Sequence, residues 1–284
     1  MCASQFVYTL GRWRMRNMGG MMGQVSGGLI VTAVFATLGA SAPLEGQTAT
    51  AHDDAFEVPL RVDPAGRLVV PVQTADGRTL SFAVSTMVPT TMVAASLAGD
   101  DASALGLRLE GIDQALTVEP VTDAALVIDG HRVDGFLGLS ALGDFDVLLD
   151  APNGRMVIRS IGRTVEWSGI DLSEPTRLNV FHGVALRLDI EVAGQPLGAT
   201  IDLANPLNQA NPGAAHLAGL GSGATASVTV SGIARPLAFA LGDTPVLQRW
   251  DPDGAGFVSL GAPFAAECAL SLSWFHQELR TCVR

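Results

Sequence analysis

Two polar residues hold matching positions in the chain and are its strongest candidates for chemistry. Ser85 and Asp202 each end an apolar stretch, with Gly77 eight residues before the serine and Gly194 eight residues before the aspartate. A serine hydroxyl acts as a nucleophile when a base lies beside it, and a carboxylate can accept a proton from water. The equal spacing indicates that one structural unit occurs twice along the chain.

The serines lack the partners that nucleophilic catalysis needs. The sequence places no His or Asp to activate Ser85, and Ser140 lacks the second glycine of a nucleophile elbow. We therefore predict structural roles for both. A single aspartate at a strand end, such as Asp202, is often a turn residue that caps backbone amides, and this alternative stays open beside a role in a site.

Composition argues against metal and nucleic-acid roles. The five His show neither H-x-x-x-H nor H-E-x-x-H spacing, and the mature chain keeps two cysteines, too few for a zinc site. The net charge of −11 repels phosphate backbones and anionic lipid headgroups. We predict no metal, no cofactor and no nucleic-acid partner.

The N-terminal residues have the order of a secretory signal. Arg12, Arg14 and Arg16 precede the apolar run 28–38 and the small residues 40–42. We predict that residues 1–42 are a signal peptide or, because Pro43 hinders cleavage directly before it, an uncleaved N-terminal anchor. The protein is then exported, periplasmic or extracellular, with no membrane contact beyond that anchor, and we expect a monomer.

Cysteine usage agrees with export. Cys268 and Cys282 flank residues 271–279, which we predict to be a terminal hairpin that turns near Phe275. An exported protein reaches an oxidising compartment, which permits a disulfide across such a hairpin. Two separate buried thiols are the alternative.

The elements that position Ser85 and Asp202 are predicted to be strands. Short apolar runs separated by Gly, Asp, Asn and Pro are typical of strands. They cover residues 68–72, 80–84, 125–128, 146–149 and 156–158, and again 184–190, 197–201, 226–230, 237–241 and 268–272. Small-residue helices are predicted at 91–97 and 212–217. The chain is predicted to be all-β with short helices.

Both units continue with an apolar-apolar-Gly step. In the first unit the step is Phe136-Leu137-Gly138, and in the second it is Ser259-Leu260-Gly261, which is more polar at its first position. These repeats predict an N-terminal lobe over 56–160, a linker over 161–178 and a C-terminal lobe over 179–284.

On these features the chain resembles the retropepsin and pepsin-like aspartic proteases, specifically the bacterial exported kind with two retropepsin-like units in tandem. The resemblance rests on the strand-Gly-strand unit before Ser85 and Asp202, the helix after each, the step at 133–139 and the closing hairpin that begins at 142–150. It implies a bilobed fold of two β-barrel lobes facing a cleft, each lobe giving one Asp from an Asp-Thr-Gly turn.

Neither turn matches that pattern in full. The first turn is Ser85-Thr86-Met87 and the second is Asp202-Leu203-Ala204. In the family, two carboxylates about 3 Å apart share one proton. With Ser85 opposite, Asp202 is predicted to stay ionised with an ordinary pKa. Leu203 removes a hydroxyl that would tie the lobes together, and Met87 places a bulky side chain where the family has glycine.

The resemblance and its departures predict an aspartic-protease-like protein that is catalytically inactive or impaired. Its cleft would bind an extended peptide or unfolded polypeptide by strand addition. An active aspartic endopeptidase, in which another acid replaces the missing one, is the first alternative. A structural envelope protein with a closed cleft is the second.

Overall fold

Strands dominate the protein, as the sequence predicts. The structure, a computed structural model, describes residues 55–99, 102–110, 112, 115–161, 167, 169–181 and 185–283. The predicted leader at 1–42 lies outside these residues. Within them every helix is short, and none has the length and apolar character to cross a membrane.

The first half of the described chain alternates short strands with single helical turns. Its elements are β1 (Ala55–Pro59), β2 (Arg61–Val62), β3 (Leu68–Gln73), β4 (Thr79–Val84), β5 (Thr91–Ala94), α1 (Ala95–Ala98), β6 (Arg108–Leu109), β7 (Val118–Val121), β8 (Val127–Ile128), β9 (His131–Arg132), β10 (Gly135–Leu137), α2 (Leu139–Leu142), β11 (Phe145–Asp150) and β12 (Arg155–Ser160). Turns of 3-10 helix occupy Ala102–Leu105, Asp123–Leu126 and Ala151–Asn153.

The second half has longer strands. Its elements are β13 (Thr176–Arg177), β14 (Asn179–Phe181), β15 (Ala185–Val192), β16 (Gln195–Ile201), β17 (Asn208–Ala210), α3 (Pro212–Ala218), β18 (Thr225–Val230), β19 (Ile233–Leu241), α4 (Pro245–Trp250), β20 (Phe257–Leu260), α5 (Ala262–Ala266), β21 (Leu270–Ser273) and β22 (Glu278–Thr281).

The two halves repeat one scheme of strand pairing. The N-terminal sheet has the order β2-β3-β4-β10-β5-β7, with β6 beside β3, and the C-terminal sheet has the order β14-β15-β16-β20-β17-β19-β18. In the first, β4 pairs in parallel with β10, β10 is antiparallel to β5, and β5 is parallel to β7. In the second, β16, β20, β17 and β19 repeat those three pairings in the same order. This agreement is what a duplicated unit predicts.

A third sheet joins the halves. Its order is β1-β12-β11-β21-β22-β13, so it takes strands from both ends of the described chain, and β13 lies within the predicted linker. Asp146 pairs with Ser273 across the seam between β11 and β21. The Cys268–Cys282 disulfide closes the β21–β22 hairpin, which confirms the predicted disulfide against the alternative of free thiols.

Two predicted elements are wrong in part. Residues 91–97 were predicted to be helical, but Thr91–Ala94 forms β5 between β10 and β7, and only Ala95–Ala98 is helix. The β-branched Thr91 and Val93 favour a strand, and hydrogen bonds to two neighbouring strands outweigh the helix preference of Met92 and Ala94. In the strand predicted at 125–128, only Val127–Ile128 is extended, because its one neighbour is the two-residue strand β9. The helix predicted at 212–217 is confirmed as α3, whose Ala214 N–H is capped by the Asn211 side chain.

Candidate functional site

Ser85 and Asp202 occupy equivalent positions in the backbone of the two halves. Each follows the strand that pairs in parallel with the apolar-apolar-Gly step of its own half. The Ser85 N–H donates to the Leu137 carbonyl at 2.9 Å, and the Asp202 N–H donates to the Leu260 carbonyl at 2.8 Å. The steps therefore fix where the two turns begin.

The glycine of each step lets the following helix pack directly on the turn. A Cβ added to Gly138 would lie 2.7 Å from the Val88 carbonyl oxygen, and one added to Gly261 would lie 2.3 Å from the Leu207 carbonyl oxygen. Carbon atoms do not approach backbone oxygens so closely, so any larger residue would displace the turn. This is the physical reason for glycine at both positions.

Thr86 links the two turns. Its Oγ1 donates to the Ile201 carbonyl at 2.6 Å and accepts from the Leu203 N–H at 3.4 Å, and the side chain is fully buried. Thr86 and Ile201 directly adjoin Ser85 and Asp202 in the chain, so these bonds bring the two candidate positions together. Leu203 has no hydroxyl that could form an equivalent hydrogen bond to the first turn. Both hydrogen bonds between the turns therefore use the Thr86 hydroxyl.

The third residue of each turn packs its side chain against the other half of the protein. Met87 packs against a cluster of the second half formed by Leu247, Trp250 and Phe257, and the Thr200 hydroxyl approaches its sulfur at 3.3 Å. Ala204 packs into a cluster of the first half, which comprises Val69, Ala83, Ala94, Leu126, Val133 and Phe136. Each turn thus anchors itself in the opposite half.

The third residue of each turn and the first residue of the apolar-apolar-Gly step near it differ in size. Phe136 is large and shares its cluster with the small Ala204. At the matching place in the second half, the small Ser259 pairs with Thr200, which touches the large Met87. A large residue therefore accompanies a small one on each side, which is consistent with a close-packed interior around Met87.

Ser85 is buried and held by its own turn. It has no exposed surface, and its Oγ accepts from the Met87 N–H at 3.3 Å. No described His or acid forms a hydrogen bond with this hydroxyl. The arrangement agrees with a structural serine and provides no base for a nucleophile.

Asp202 is half-buried and carries an uncompensated charge. Burial raises the pKa of its carboxyl to about 6, partly offset by the Ala204 N–H that donates to it. Its carboxylate forms no ion pair with any residue in the described part of the chain. The expectation of an ordinary pKa is therefore wrong, because desolvation without a counter-charge disfavours the ionised form.

Two other acids of the repeat accept hydrogen bonds from residues of the first half. The Asp134 carboxylate accepts from the Ser81 N–H at 2.8 Å, and Asp150 accepts from Asn153 and Arg155. Among the described residues, no three His, Cys, Asp or Glu side chains are grouped to hold a metal ion. The roles of Thr200 and the Met87 cluster were not predicted, since these contacts join distant segments and leave no spacing signal.

Comparison with solved structures identifies the fold. A crystal structure of the aspartic proteinase from Irpex lacteus matches with a TM-score of 0.55 and 12% sequence identity, covering 81% of this chain and 97% of that one. The chain therefore has the bilobed pepsin-like fold that the sequence predicts, and an identity this low shows the fold alone. No family model and no curated protein matches the sequence.

Proposed function

We propose that this chain is a non-catalytic relative of the aspartic proteases that binds an extended peptide between its two halves. The observation that carries the proposal is the hydrogen bond between Thr86 and Ile201, the chain neighbours of Ser85 and Asp202, which brings one half-buried acid and one buried serine to the same junction. Peptide hydrolysis in this fold uses two carboxylates that share a proton, one as base and one as acid. Ser85 cannot supply the second carboxylate, and each such proton-transfer role is worth roughly 10²–10⁴ in rate.

Partial exposure of Asp202 supports binding over a purely structural role. The Irpex lacteus protein is an aspartic proteinase, and such enzymes act on polypeptides. A chain that keeps this fold and leaves Asp202 partly exposed would keep access for a peptide while lacking the chemistry. A closed cleft would instead cover this carboxylate. Export, with a leader at residues 1–42, belongs to the same proposal, and the disulfide agrees with an oxidising compartment.

A weak endopeptidase is the second candidate, favoured by one observation. A carboxyl group with a pKa of about 6 is suited to accept a proton from water near neutral pH. Such an enzyme would need its acid step from a group outside the two turns.

One experiment separates the candidates. The purified chain is incubated with fluorescently labelled, unfolded casein between acidic and neutral pH, beside Asp202→Ala and, as a matched control, Ser85→Ala. We expect saturable binding by fluorescence anisotropy and no cleavage above the buffer blank. Cleavage that Asp202→Ala abolishes and Ser85→Ala retains would establish the endopeptidase instead.

A further inference from the structure

A cavity of about 420 Å³ opens on the surface of the second half. It lies between the start of β17, the middle of β19 and helix α5, and Leu207, Ala238 and Pro263 are among the residues that line it. Its size is within the range of about 300–1,000 Å³ that is usual for ligand sites. None of the residues 85–87 and 202–204 lines it, so the roles of the two turns do not account for this cavity.

Strand β19 and the residue before β17 give the cavity an apolar wall. Side chains alternate along a strand, so Leu237 and Phe239 are buried in the core and Ala238 between them is exposed. Leu207 immediately precedes Asn208, which pairs with Phe239, and this register places Leu207 beside Ala238. Leu207 is 50% exposed. A large apolar side chain therefore borders the cavity and is left open to solvent.

Polar groups along the wall are already hydrogen-bonded. Asn208 is 2% exposed, and its carboxamide donates to the Ala238 carbonyl at 3.2 Å and accepts from the Gly261 N–H at 2.9 Å. The Gly223 N–H donates to the Phe239 carbonyl at 3.0 Å. A polar group that entered the cavity would lose hydrogen bonds to water without gaining these as partners.

The two other polar side chains of the lining, Ser222 and Glu267, are exposed to solvent. Arg235 lies close enough to Glu267 to interact with its charge, but the guanidinium donates to the Cys282 carbonyl at 2.6 Å. With Glu267 in its lining and a net charge of −11 on the chain, the cavity disfavours an acidic ligand. The lining therefore fits an apolar group without negative charge.

The cavity adjoins the second turn through the backbone. The Asp202 N–H donates to the Leu260 carbonyl, and the next residue, Gly261, packs so closely on Leu207 that an added Cβ would lie 2.3 Å from the Leu207 carbonyl oxygen. Leu207 also follows Asp202 by only five residues. An extended peptide would therefore cover the distance from Asp202 to Leu207 in at most about five residues.

We propose that this cavity receives a bulky apolar side chain of the bound peptide, within about five residues of the one that lies at Asp202. The proposal rests on the proposed peptide-binding function and adds the class of side chain that the peptide must carry. Successive side chains of an extended peptide point to opposite sides, so one of them can enter the cavity while the backbone stays outside. Contact with the exposed Leu207 is favourable because apolar surface is removed from water.

Two exposed leucines provide a matched pair of variants. Leu207→Ala removes part of the cavity wall, and Leu217→Ala removes a side chain of similar exposure, 48%, from helix α3 outside the cavity. Ala238→Glu introduces a charge into the cavity from an exposed position, which the fold should tolerate. Urea unfolding of each variant verifies that it is folded.

Peptides that differ at one position measure the preference. Acetylated and amidated octapeptides of serine and threonine carry phenylalanine, alanine or glutamate at one central position. We expect the phenylalanine peptide to bind the wild type and Leu217→Ala about tenfold more tightly than the alanine peptide, and the glutamate peptide to bind most weakly. Leu207→Ala should lose most of this preference and Ala238→Glu all of it. Equal binding of the three peptides, or a preference that survives in both cavity variants, would overturn the proposal.

A small probe distinguishes this proposal from the function on which it rests. N-acetyl-phenylalaninamide is titrated into protein with ¹³C-labelled leucine methyl groups, with N-acetyl-alaninamide as control. We expect the probe to shift the Leu207 methyl signals and to leave those of Leu217 unchanged. If the octapeptides do not bind but the probe shifts Leu207, the cavity is a binding site and the peptide function fails. Leu207 signals that respond to neither the probe nor the phenylalanine peptide refute the cavity as a site.

Discussion

The turn at residues 85–87 and the turn at residues 202–204 start from equivalent strands, yet their side chains do different work. In the first, Thr86 supplies the hydroxyl that holds the two halves together, and Ser85 is neutral and buried. In the second, Leu203 supplies no hydroxyl, and Asp202 keeps a charge that is partly open to solvent.

The difference shows that the hydroxyl that joins the two halves and the ionisable group can belong to different turns. One threonine is enough to satisfy both the Ile201 carbonyl and the Leu203 N–H at the junction. The fold therefore does not need an acid at position 85. Asp202 is an acid although its burial opposes ionisation, and a carboxyl group whose pKa is shifted in this way is a candidate for a functional site.

The largest effect should come from making the first turn resemble the second. Ser85→Asp would bury a second acid beside Asp202, and we expect the free energy of unfolding at pH 7 to fall by about 3–5 kcal/mol, as for an uncompensated buried charge. The new carboxyl would have a raised pKa when folded, so its cost appears as the pH rises above its unfolded pKa of about 4 and is small below it.

Urea denaturation of Ser85→Asp at pH 7 and pH 4 measures this effect, with Ser85→Ala as the control. The alanine variant should lose less than about 1 kcal/mol, since only the long Met87 N–H bond is removed. An unchanged stability of Ser85→Asp at pH 7 would mean that position 85 faces solvent, away from the junction.

Removing the link should have the next largest effect. Thr86→Val keeps the shape of the side chain but leaves the Ile201 carbonyl and the Leu203 N–H without a partner, both buried. We expect a loss of about 3 kcal/mol in denaturant unfolding. Thr86→Ser, which keeps the hydroxyl, should lose clearly less, and equal losses in the two variants would refute the bonding role.

Removing the charge of the second turn should stabilise the protein. Asp202→Asn keeps an oxygen for the Ala204 N–H, and we expect a gain of about 2 kcal/mol at pH 7, less than the full pKa shift implies because solvent screens a partly exposed group. The folded pKa is raised, so the wild type loses stability as the pH rises from about 4 to about 6, and the variant does not.

Thermal or urea unfolding between pH 4 and pH 7 checks this window. The curves of wild type and Asp202→Asn should coincide near pH 4 and separate by pH 7, and Asp144→Asn, which removes an exposed acid, is the control. Parallel curves at all pH values would contradict a raised pKa.

Changing the side chains that pack around Met87 should give the smallest effect. Met87→Ala removes a half-buried side chain from the cluster of Leu247, Trp250 and Phe257, at a cost of about 1–2 kcal/mol. Because Ser259 lies beside Thr200, which touches Met87, Ser259→Val should recover part of the loss in Met87→Ala and overpack the wild type. A double-mutant cycle measures the coupling, and strictly additive losses would show that the two positions do not share one space.

Much of this comparison was predictable from the sequence, because it depends on local repeats. Equal glycine spacing placed Ser85 and Asp202 at equivalent strand ends, and the apolar-apolar-Gly steps located the glycines that pack on the turns. The departures at Leu203 and Met87 were visible in the turns themselves.

The rest depends on contacts between distant segments, which spacing does not encode. Thr91–Ala94 is a strand because β10 and β7 lie on either side of it, whereas its small residues alone suggested a helix. The raised pKa of Asp202 follows from the burial that two converging turns impose. The insertion of Met87 into the second half required knowledge of which cluster lies opposite.

The most direct test of a solitary acid at the junction is the titration of Asp202 in the protein without ligand. The ¹³C shift of its carboxyl carbon, assigned by comparison with Asp202→Asn, should follow a single step with a pKa of about 6. A second step would reveal another acid that shares its proton, and a pKa near 3.8 would show a solvated carboxylate outside the junction. Either result would contradict the account.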